Sequence, residues 1–210
     1  ANRTQLGFPI DPSSGYWAKT DDESQPSDAT APNINRSVVI VPIVQDAKNA
    51  LLVRPFGAAQ WSQKSLATFQ HALLRGIEAR FQLEEGEVHG EPVPTRDARN
   101  AFLLYEATEG GAGVLTRIVS FPDTLAEVAR EALRTMHYEV GEGTGDHANL
   151  LPTSFGALVD LGKDHCLDAC YRCLLSYFNQ LDHEHIDRHD AVAVTALLRL
   201  ARGARTSGLG

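Results

Sequence analysis

The sequence predicts an α+β fold, in which a small sheet that starts with a hairpin is flanked by helices and followed by a C-terminal helical knuckle. Two observations predict this class. A β-branched run comes first and segments with helical periodicity follow it, and the two kinds of pattern do not alternate regularly along the chain. Regular alternation is typical of a doubly wound parallel sheet, so its absence favours α+β.

The first strands are predicted just after Ser37. A β-branched run at 38–44 and an apolar triplet at 51–53 are separated by a polar stretch at 45–49, which indicates a hairpin. Pro42 lacks the N–H that a ladder hydrogen bond needs, so its strand is expected at an edge or a bulge. A further short, buried strand is predicted at 101–105.

Three helices are predicted from apolar side chains that recur every three or four residues. They lie between Ser62 and Leu83, at 123–137, and at about 190–202. The apolar face of the first helix is formed by Leu66, Phe69, Leu73, Ile77 and Phe81.

A glycine-rich turn follows the strand predicted at 101–105, with the sequence Gly-Gly-Ala-Gly at 110–113. Glycine permits backbone conformations and close approaches that other residues do not, so we predict a tight packing turn here. Consecutive glycine N–H groups can also converge on an anion, which leaves a phosphate cradle as the alternative.

The composition separates one domain from a polar segment. The 210 residues are 43% hydrophobic and 22% charged, as in an ordinary globular protein. Residues 1–36 are rich in Pro, Ser, Asp and Asn, so we predict a flexible linker or extended arm there and a single domain at 37–205. The chain begins at Ala1, without methionine and within polar sequence, so we also expect a fragment of a longer polypeptide or one part of a split chain.

The charge and the cysteines limit the classes of function. A net charge of −8 opposes unaided binding to DNA or RNA, because nonspecific affinity comes from cations that neutralise phosphates. There is no apolar run of the length that a membrane span needs. All three cysteines are clustered and form no even set for pairing, which favours a metal site in a reducing compartment, so we expect a cytoplasmic protein.

The cysteines have the spacing of metal ligands. Cys166, Cys170 and Cys173 are separated by three and then two residues, so one backbone turn can aim their thiols at one point. A tetrahedral zinc site needs four nitrogen or sulfur ligands. We favour His183 as the fourth, because the stretch 174–178, predicted to be helical, can fold back over the metal. The other candidates are the remaining histidines near the group: His137, His147, His165 and His185.

Three other interpretations of the metal segment, 164–188, remain open. Free cysteines often pack in cores as small hydrophobic residues. Cys-x3-Cys-x2-Cys is also the spacing with which radical SAM enzymes hold a [4Fe–4S] cluster, although those enzymes need a large barrel and only 37 residues follow Cys173. A catalytic metal site with an open position could be built from 183–187, but three thiolates favour a closed structural site.

The cysteine segment resembles the MrfA-type zinc-binding domain, MZB, a family found at the C-termini of bacterial superfamily 2 DNA helicases and in helicase-associated proteins. Upstream, the end of the strand at Glu106 with its Gly-Gly-x-Gly turn and the helix at 68–81 also resemble the family, so the resemblance spans about 37–190. Better-known members use four cysteines, whereas here another residue has to fill the fourth position, which we infer to be His183. The resemblance is carried by Cys166, the block 169–177, Asn179, Gln180, His183, Asp187 and Arg188.

The resemblance implies a structural Zn²⁺ module at the C-terminus of, or partnered with, an ATP-dependent DNA helicase or translocase, in DNA repair or in anti-phage defence of the DISARM kind. The sequence has no Gly-x4-Gly-Lys-Ser/Thr phosphate loop and no Asp-Glu box of such a motor. We therefore expect no enzymatic activity from this chain by itself, and DNA contact only through the assembly. A protein–protein scaffold without nucleic-acid contact is the alternative.

Tyr171, Arg172 and Tyr177 form a weaker candidate site for nucleic acid. Aromatic rings can stack on unpaired bases while an arginine contacts phosphate. Aromatic residues in a metal knuckle more often pack in the core, and we favour that interpretation here.

Asp187 and Arg188 follow the knuckle in the sequence. We interpret them as a helix N-terminal signal with a solvated charge pair. In the alternative, Arg188 bonds a carboxylate near the metal, such as Asp182.

Overall fold

A computed structural model of the chain describes residues 7–12, 15–16, 38–108, 110–121, 123–141 and 151–203. Contacts divide the chain into two units, residues 1–46 and 47–210. In the first unit, strand β1 (Phe8–Ile10) pairs antiparallel with strand β2 (Val38–Ile40). Most of the arm predicted at 1–36 lies outside the described residues, so the arm and the domain at 37–205 stay predictions.

The second unit contains a three-stranded antiparallel sheet. Strand β5 (Ala101–Glu106) lies in the middle, between β3 (Ala50–Val53) and β4 (Val88–Val93). Four of the six residues of β5 are buried, which confirms the short buried strand predicted there. Strand β4 was not predicted from the sequence, because Gly90 and Pro92 are both unfavourable in strands. Its position at the edge of the sheet explains how it accommodates a proline.

The hairpin predicted from the runs at 38–44 and 51–53 does not form. The first run contributes β2, which pairs with β1, and the second belongs to β3, which pairs with β5. Pairing with β5 aligns Leu51 with Leu104 and Val53 with Phe102. β5 offers β3 an apolar or aromatic partner at every paired position, and cross-strand pairs of this kind stabilise a sheet.

Helices cover this sheet and confirm the α+β class. The predicted helices are α1 (Gln63–Phe81), α3 (Thr124–Thr135) and α4 (Ala191–Ala201), and a short helix α2 (Val114–Ser120) was not predicted. Ser62 caps α1, since its hydroxyl accepts a hydrogen bond from the N–H of Ser65 at 2.9 Å. Among the described residues, no helix combines the length and the apolar character required to cross a bilayer.

The core lies where α1, α3 and α4 meet the sheet. Gly76 lets α1 and α3 approach closely, because a Cβ atom at this position would lie 2.3 Å from the carbonyl oxygen of Val128. Buried apolar side chains from all these elements form one cluster, and Cys166 and Cys173 belong to it. The cysteine segment is therefore attached to the core rather than appended to its surface.

The glycine turn at 110–113 is a packing turn, as predicted. The carboxylate of Glu106 accepts hydrogen bonds from the N–H of Gly113 at 3.1 Å and of Leu115 at 3.0 Å. Gly111 has a φ of 44°, and a Cβ atom there would lie 1.5 Å from an oxygen of Glu106. A carboxylate of the chain itself thus occupies the position that the alternative interpretation assigned to a phosphate.

Candidate metal centre

The cysteine segment folds into turns that are held by backbone hydrogen bonds. The N–H of Cys166 donates to the carbonyl of Gly162 at 2.9 Å, and the N–H of Cys173 to the carbonyl of Cys170 at 3.0 Å. The N–H of Cys170 donates to Sγ of Cys173 at 3.0 Å. These turns bring the three thiols together, as the spacing predicted, and place Sγ of Cys166 3.7 Å from Sγ of Cys173.

A histidine from a distant part of the sequence completes the group. Nε2 of His137 lies 3.3 Å from Sγ of Cys170, and the candidate ligand atoms of His137 and the three cysteines all lie within 4.8 Å of one another. His137 lies two residues after the end of α3 and has a φ of 65°, in the left-handed region that non-glycine residues rarely adopt. Its carbonyl accepts a hydrogen bond from the N–H of Leu161 at 2.8 Å, which holds it against the segment that leads to the cysteines.

The four side chains fit one tetrahedral ion. Zinc–sulfur bonds of about 2.3 Å at tetrahedral angles place two sulfurs roughly 3.8 Å apart, and Sγ of Cys166 and Sγ of Cys173 are 3.7 Å apart. This distance is far too long for a disulfide, and all three cysteines are free thiols. Three sulfurs and one nitrogen are a donor set that zinc takes in structural sites. The cluster could therefore hold a metal ion.

The compactness of the cluster favours one ion over an iron–sulfur cluster. In a [4Fe–4S] cluster each protein ligand binds a different iron, so the ligand atoms surround a body much larger than a single ion. Four ligand atoms within 4.8 Å of one another leave no space for such a body. Cys166 and Cys173 also belong to the hydrophobic core. Packing in the core, the alternative considered for free cysteines, is therefore compatible with a role as metal ligands.

The surroundings oppose ionisation of two thiols in the absence of a cation. Burial raises the pKa of the Cys166 thiol to about 12 and also raises the pKa of Cys173. Burial acts in the same direction on Cys170, but hydrogen bonds, first that of the Arg172 backbone, lower its pKa overall. Burial, assisted by the charge of Arg188, lowers the pKa of His137 and favours the neutral ring. A metal cation that displaces the thiol protons would supply the missing positive charge.

The structure does not bring His183 to this cluster. Its Nε2 lies 2.9 Å from Oδ1 of Asn179 and 3.1 Å from the carbonyl oxygen of Ser176. Both contacts belong to the start of a 3-10 helix, Tyr177–His185, whose capping box is formed by Ser176 and Asn179. His137 therefore replaces His183 as the candidate fourth ligand.

The segment after Cys173 explains this difference. The stretch 174–178 was predicted to be helical throughout, but its helix begins only at Tyr177. The chain therefore passes the cluster before a histidine can turn back onto it. His165 lies near, with its ring centre 5.2 Å from that of His137, but it is outside the group of four. In the described ranges no other set of this kind occurs, so residues 183–187 do not form the open catalytic site considered as an alternative.

His137 could not be singled out from sequence spacing. It comes at the end of the helix predicted at 123–137, far from Cys166, and no local motif connects the two. Only the packing of α3 against the rest of the core fixes the distance between them. The available signal was weaker: His137 was one of several histidines within reach of the cysteine group.

Tyr171 and Tyr177 lie on the surface, so the core packing predicted for them is wrong. Their exposed fractions are 67% and 76%. The ring of Tyr171 packs edge-on against His183, with ring centres 5.8 Å apart, and Tyr177 packs edge-on against Phe178 at 5.9 Å. Arg172 is exposed beside them. Tyr171 and Arg172 lie between two cysteines of the cluster in the sequence, and Tyr177 follows four residues after Cys173. The three exposed residues are here called the knuckle surface.

Arg188 is not part of a solvated charge pair, and it does not bond Asp182. Its side chain is fully buried and pairs with Asp160. Asp187 pairs instead with Lys64 at 2.7 Å. The solvated charge pair predicted from the sequence is therefore wrong, because a buried arginine has no signature in the local sequence. The alternative named the wrong partner, Asp182, but Arg188 does bond a carboxylate, that of Asp160.

The two histidines provide a direct test of the geometry. We expect His137→Asn to weaken zinc binding by at least about 10–100-fold, since even changes to groups that only orient metal ligands cost that much. His183→Asn, the matched control, should bind zinc as tightly as the parent chain. Competition with a chromophoric chelator measures both affinities. Equal losses in the two variants, or a loss only at His183, would contradict the geometry.

The similarity to known proteins agrees with this site. The family model described as the MrfA Zn-binding domain, MZB, matches residues 69–174, half of the chain. The matched range begins within α1 and contains His137 and all three cysteines, whereas His183 lies outside it. No curated protein and no solved structure matches the chain significantly.

Proposed function

This chain belongs to the MrfA Zn-binding domain family, and from that membership we propose that it is a structural zinc module that serves an ATP-dependent DNA helicase or translocase. The observation that carries the zinc part of the proposal is the cluster of His137, Cys166, Cys170 and Cys173. Four protein ligands fill a tetrahedral ion's coordination positions and leave none for a substrate, which is typical of a structural site rather than a catalytic one.

Zinc, when bound, would supply a cross-link and positive charge. The chain's own residues would hold the ion: His137 supplies a nitrogen ligand next to the end of α3, and the cysteine turns supply three sulfur ligands from one short segment. Both segments contact the core. Metal binding is therefore expected to stabilise the packing of α3 against the C-terminal knuckle, and with it the shape of the knuckle surface.

We place DNA contact at the knuckle surface. Two exposed aromatic rings beside an exposed arginine suit the stacking of unpaired bases and the neutralisation of a phosphate. The net charge of −8 makes this contact too weak to act alone, so a positively charged surface of a superfamily 2 motor is needed beside it. ATP hydrolysis then belongs to another domain or chain, and this module has no enzymatic activity of its own.

DNA repair and anti-phage defence are the processes in which we expect this assembly to act, by analogy with the family. Three free thiols that face one another require a reducing compartment to remain metal ligands, which supports a place in the cytoplasm.

Elemental analysis with a visible spectrum of freshly purified protein tests the metal part of the proposal. We expect about one zinc per chain and no colour, because zinc has a filled d shell. Iron with an absorption band near about 400 nm would replace the structural zinc module with cluster chemistry.

The DNA part needs a motor of the helicase family and single-stranded DNA in the same assay. Adding the parent chain should strengthen DNA binding by the motor, and the double variant Tyr171→Ala, Tyr177→Ala should lose most of that gain while retaining its zinc. A control pair of exposed residues away from the cluster, Leu52→Ala with Val119→Ala, should keep the gain. A gain that survives loss of both tyrosines would contradict DNA contact at this surface.

A further inference from the structure

We propose that Arg188 is the positioning residue of the metal cluster: its buried guanidinium ties the backbone beside His137 to the backbone of Cys166 and so fixes the distance between the two ligand-bearing segments. The inference rests on the proposed role of the cluster in binding metal. It assigns a function to a buried charge that the metal ligands themselves do not explain.

The hydrogen bonds of the guanidinium carry this inference. Nε of Arg188 donates to the carbonyl oxygen of Cys166 at 3.2 Å, and Nη1 donates to the carbonyl oxygen of Met136, the residue before His137, at 3.3 Å. Nη2 donates to the carboxylate of Asp160. Three nitrogens of one rigid plane therefore contact three separate segments, and two of those segments carry metal ligands.

The surroundings of Arg188 hold it in place. Its side chain is 0% exposed, and the ring of Tyr138 lies 5.3 Å from the guanidinium carbon. The hydroxyl of Tyr138 donates to the carbonyl oxygen of Arg188 at 2.7 Å. Asp160, the partner of the charge, also accepts a hydrogen bond from the N–H of Gly162 at 2.8 Å. Burying the charge of an arginine, even when it is paired, generally stabilises a protein no more than an apolar residue of the same size would, so the buried guanidinium suggests a geometric role.

The contact between the two segments leaves no spare volume. A Cβ atom at Gly162 would lie 2.6 Å from Nη2 of Arg188 and 2.8 Å from Cβ of His137. Gly162 is also the residue whose carbonyl accepts the N–H of Cys166. Arg188, Gly162 and His137 thus meet at the start of the cysteine turns. A lysine at position 188 would keep the charge, but its single nitrogen cannot make all three contacts.

Arg188→Lys in the full chain tests the proposal, with Arg99→Lys as the matched control. Arg99 is equally buried, at 1% side-chain exposure, and pairs with Asp182 instead. We expect both variants to unfold at lower temperature, since each disturbs the ion pair of a buried arginine. Only Arg188→Lys should bind zinc about 10–100-fold more weakly, the range for residues that orient metal ligands. It should also change the visible spectrum of the cobalt-substituted protein, which reports the geometry of the ligands.

Each result decides the matter. Unchanged zinc affinity in Arg188→Lys, or equal losses in both variants, overturns the positioning role. If Arg188→Lys does not fold, Asp160→Asn replaces it, because that change leaves the arginine and both carbonyls in place. It removes the negative charge that holds the guanidinium and, besides that charge, the oxygen that contacts His189. We then expect zinc affinity to fall about tenfold, and an unchanged affinity overturns the positioning role.

The parent chain separates this proposal from the proposed function. A parent chain that binds no zinc contradicts the proposed function as well. A parent chain that binds zinc no more tightly than the Arg188→Lys variant contradicts the role of Arg188 alone.

Discussion

Replacing Cys173 with serine should abolish stoichiometric zinc binding and lower the unfolding temperature by roughly 10–20 °C. This range follows from a loss of about 5 kcal/mol in the free energy of unfolding, at about 2–4 °C per kcal/mol for a chain of this size. The loss is taken as about half of the free energy that zinc contributes in small zinc-dependent peptides, which is on the order of 10 kcal/mol. Cys173 is only 1% exposed and belongs to both the metal cluster and the core.

A chelator provides the control for this prediction. The parent chain with its zinc removed should unfold at about the same temperature as Cys173→Ser, and the chelator should have no further effect on the variant. Differential scanning calorimetry of all four samples, variant and parent with and without chelator, separates loss of metal from loss of core packing. A variant that unfolds at the parent temperature would exclude a structural metal at this cluster.

Replacing Asp182 with alanine should lower the free energy of unfolding by about 3–5 kcal/mol, which is the usual cost of breaking a buried ion pair. The zinc affinity should not change. The Asp182 carboxylate is 2.8 Å from Nε2 of His71 and 2.7 Å from Nη2 of Arg99, and all three side chains are buried. It also pairs with Arg96. Without Asp182, the charge of Arg99 would remain buried without its counter-ion. Urea unfolding monitored by circular dichroism measures the loss.

A surface pair offers the comparison. Glu127 and Arg80 form an ion pair at 2.7 Å with partly exposed side chains, so Glu127→Ala should cost no more than about 1 kcal/mol. Similar losses in the two variants would show that the buried ion pairs of Asp182 contribute no more to stability than a surface ion pair does.

The effect of Asp182 should depend on pH. Burial by itself would raise the pKa of Asp182, but the hydrogen bonds from His71 and Arg99 lower it far below its usual range. As the pH falls, the Asp182 carboxylate is therefore protonated in the unfolded chain before it is protonated in the folded protein. The stabilisation is complete above the ordinary aspartate pKa of about 3.9 and is lost as the pH falls below it toward the folded value. The difference in unfolding free energy between parent and Asp182→Ala should thus be largest above about pH 5 and shrink in acid.

Periodicity correctly predicted α1 but described only one of its faces. The apolar residues at spacings of three and four, such as Leu66 and Ile77, are buried as expected. On its other face His71 and Thr68 are buried too, because Asp182 and the N–H of Asp187 supply hydrogen-bond partners. Those partners come from more than a hundred residues later. A polar residue in a sequence pattern carries no sign of such a partner, so the second buried face could not be predicted.

The same limit applies to the metal cluster. The three cysteines lie within one short segment, and local turn geometry is sufficient to bring them together, so their spacing identified them. The fourth group depends on how α3 packs against the core and on the left-handed turn at His137. Proximity in sequence favoured His183, but the capping box of the 3-10 helix engages that ring. Short-range features of this fold were predictable, and the contacts that join distant segments were not.

The left-handed turn at His137 brings its ring to the cysteines, so a bound ion would close part of the chain into a loop. With zinc bound as proposed, the ion joins His137 to Cys166 across roughly thirty residues of chain. Closing a long loop of this kind is expected to stabilise a fold more than closing a short one. Unlike a disulfide, this closure needs the thiols to stay reduced, and it depends on the concentration of free metal. Each tenfold fall in free zinc removes about 1.4 kcal/mol of stability while the site remains mostly occupied. The integrity of the module would therefore vary with the zinc supply of the cell, and an assembly that depends on it would weaken during zinc starvation.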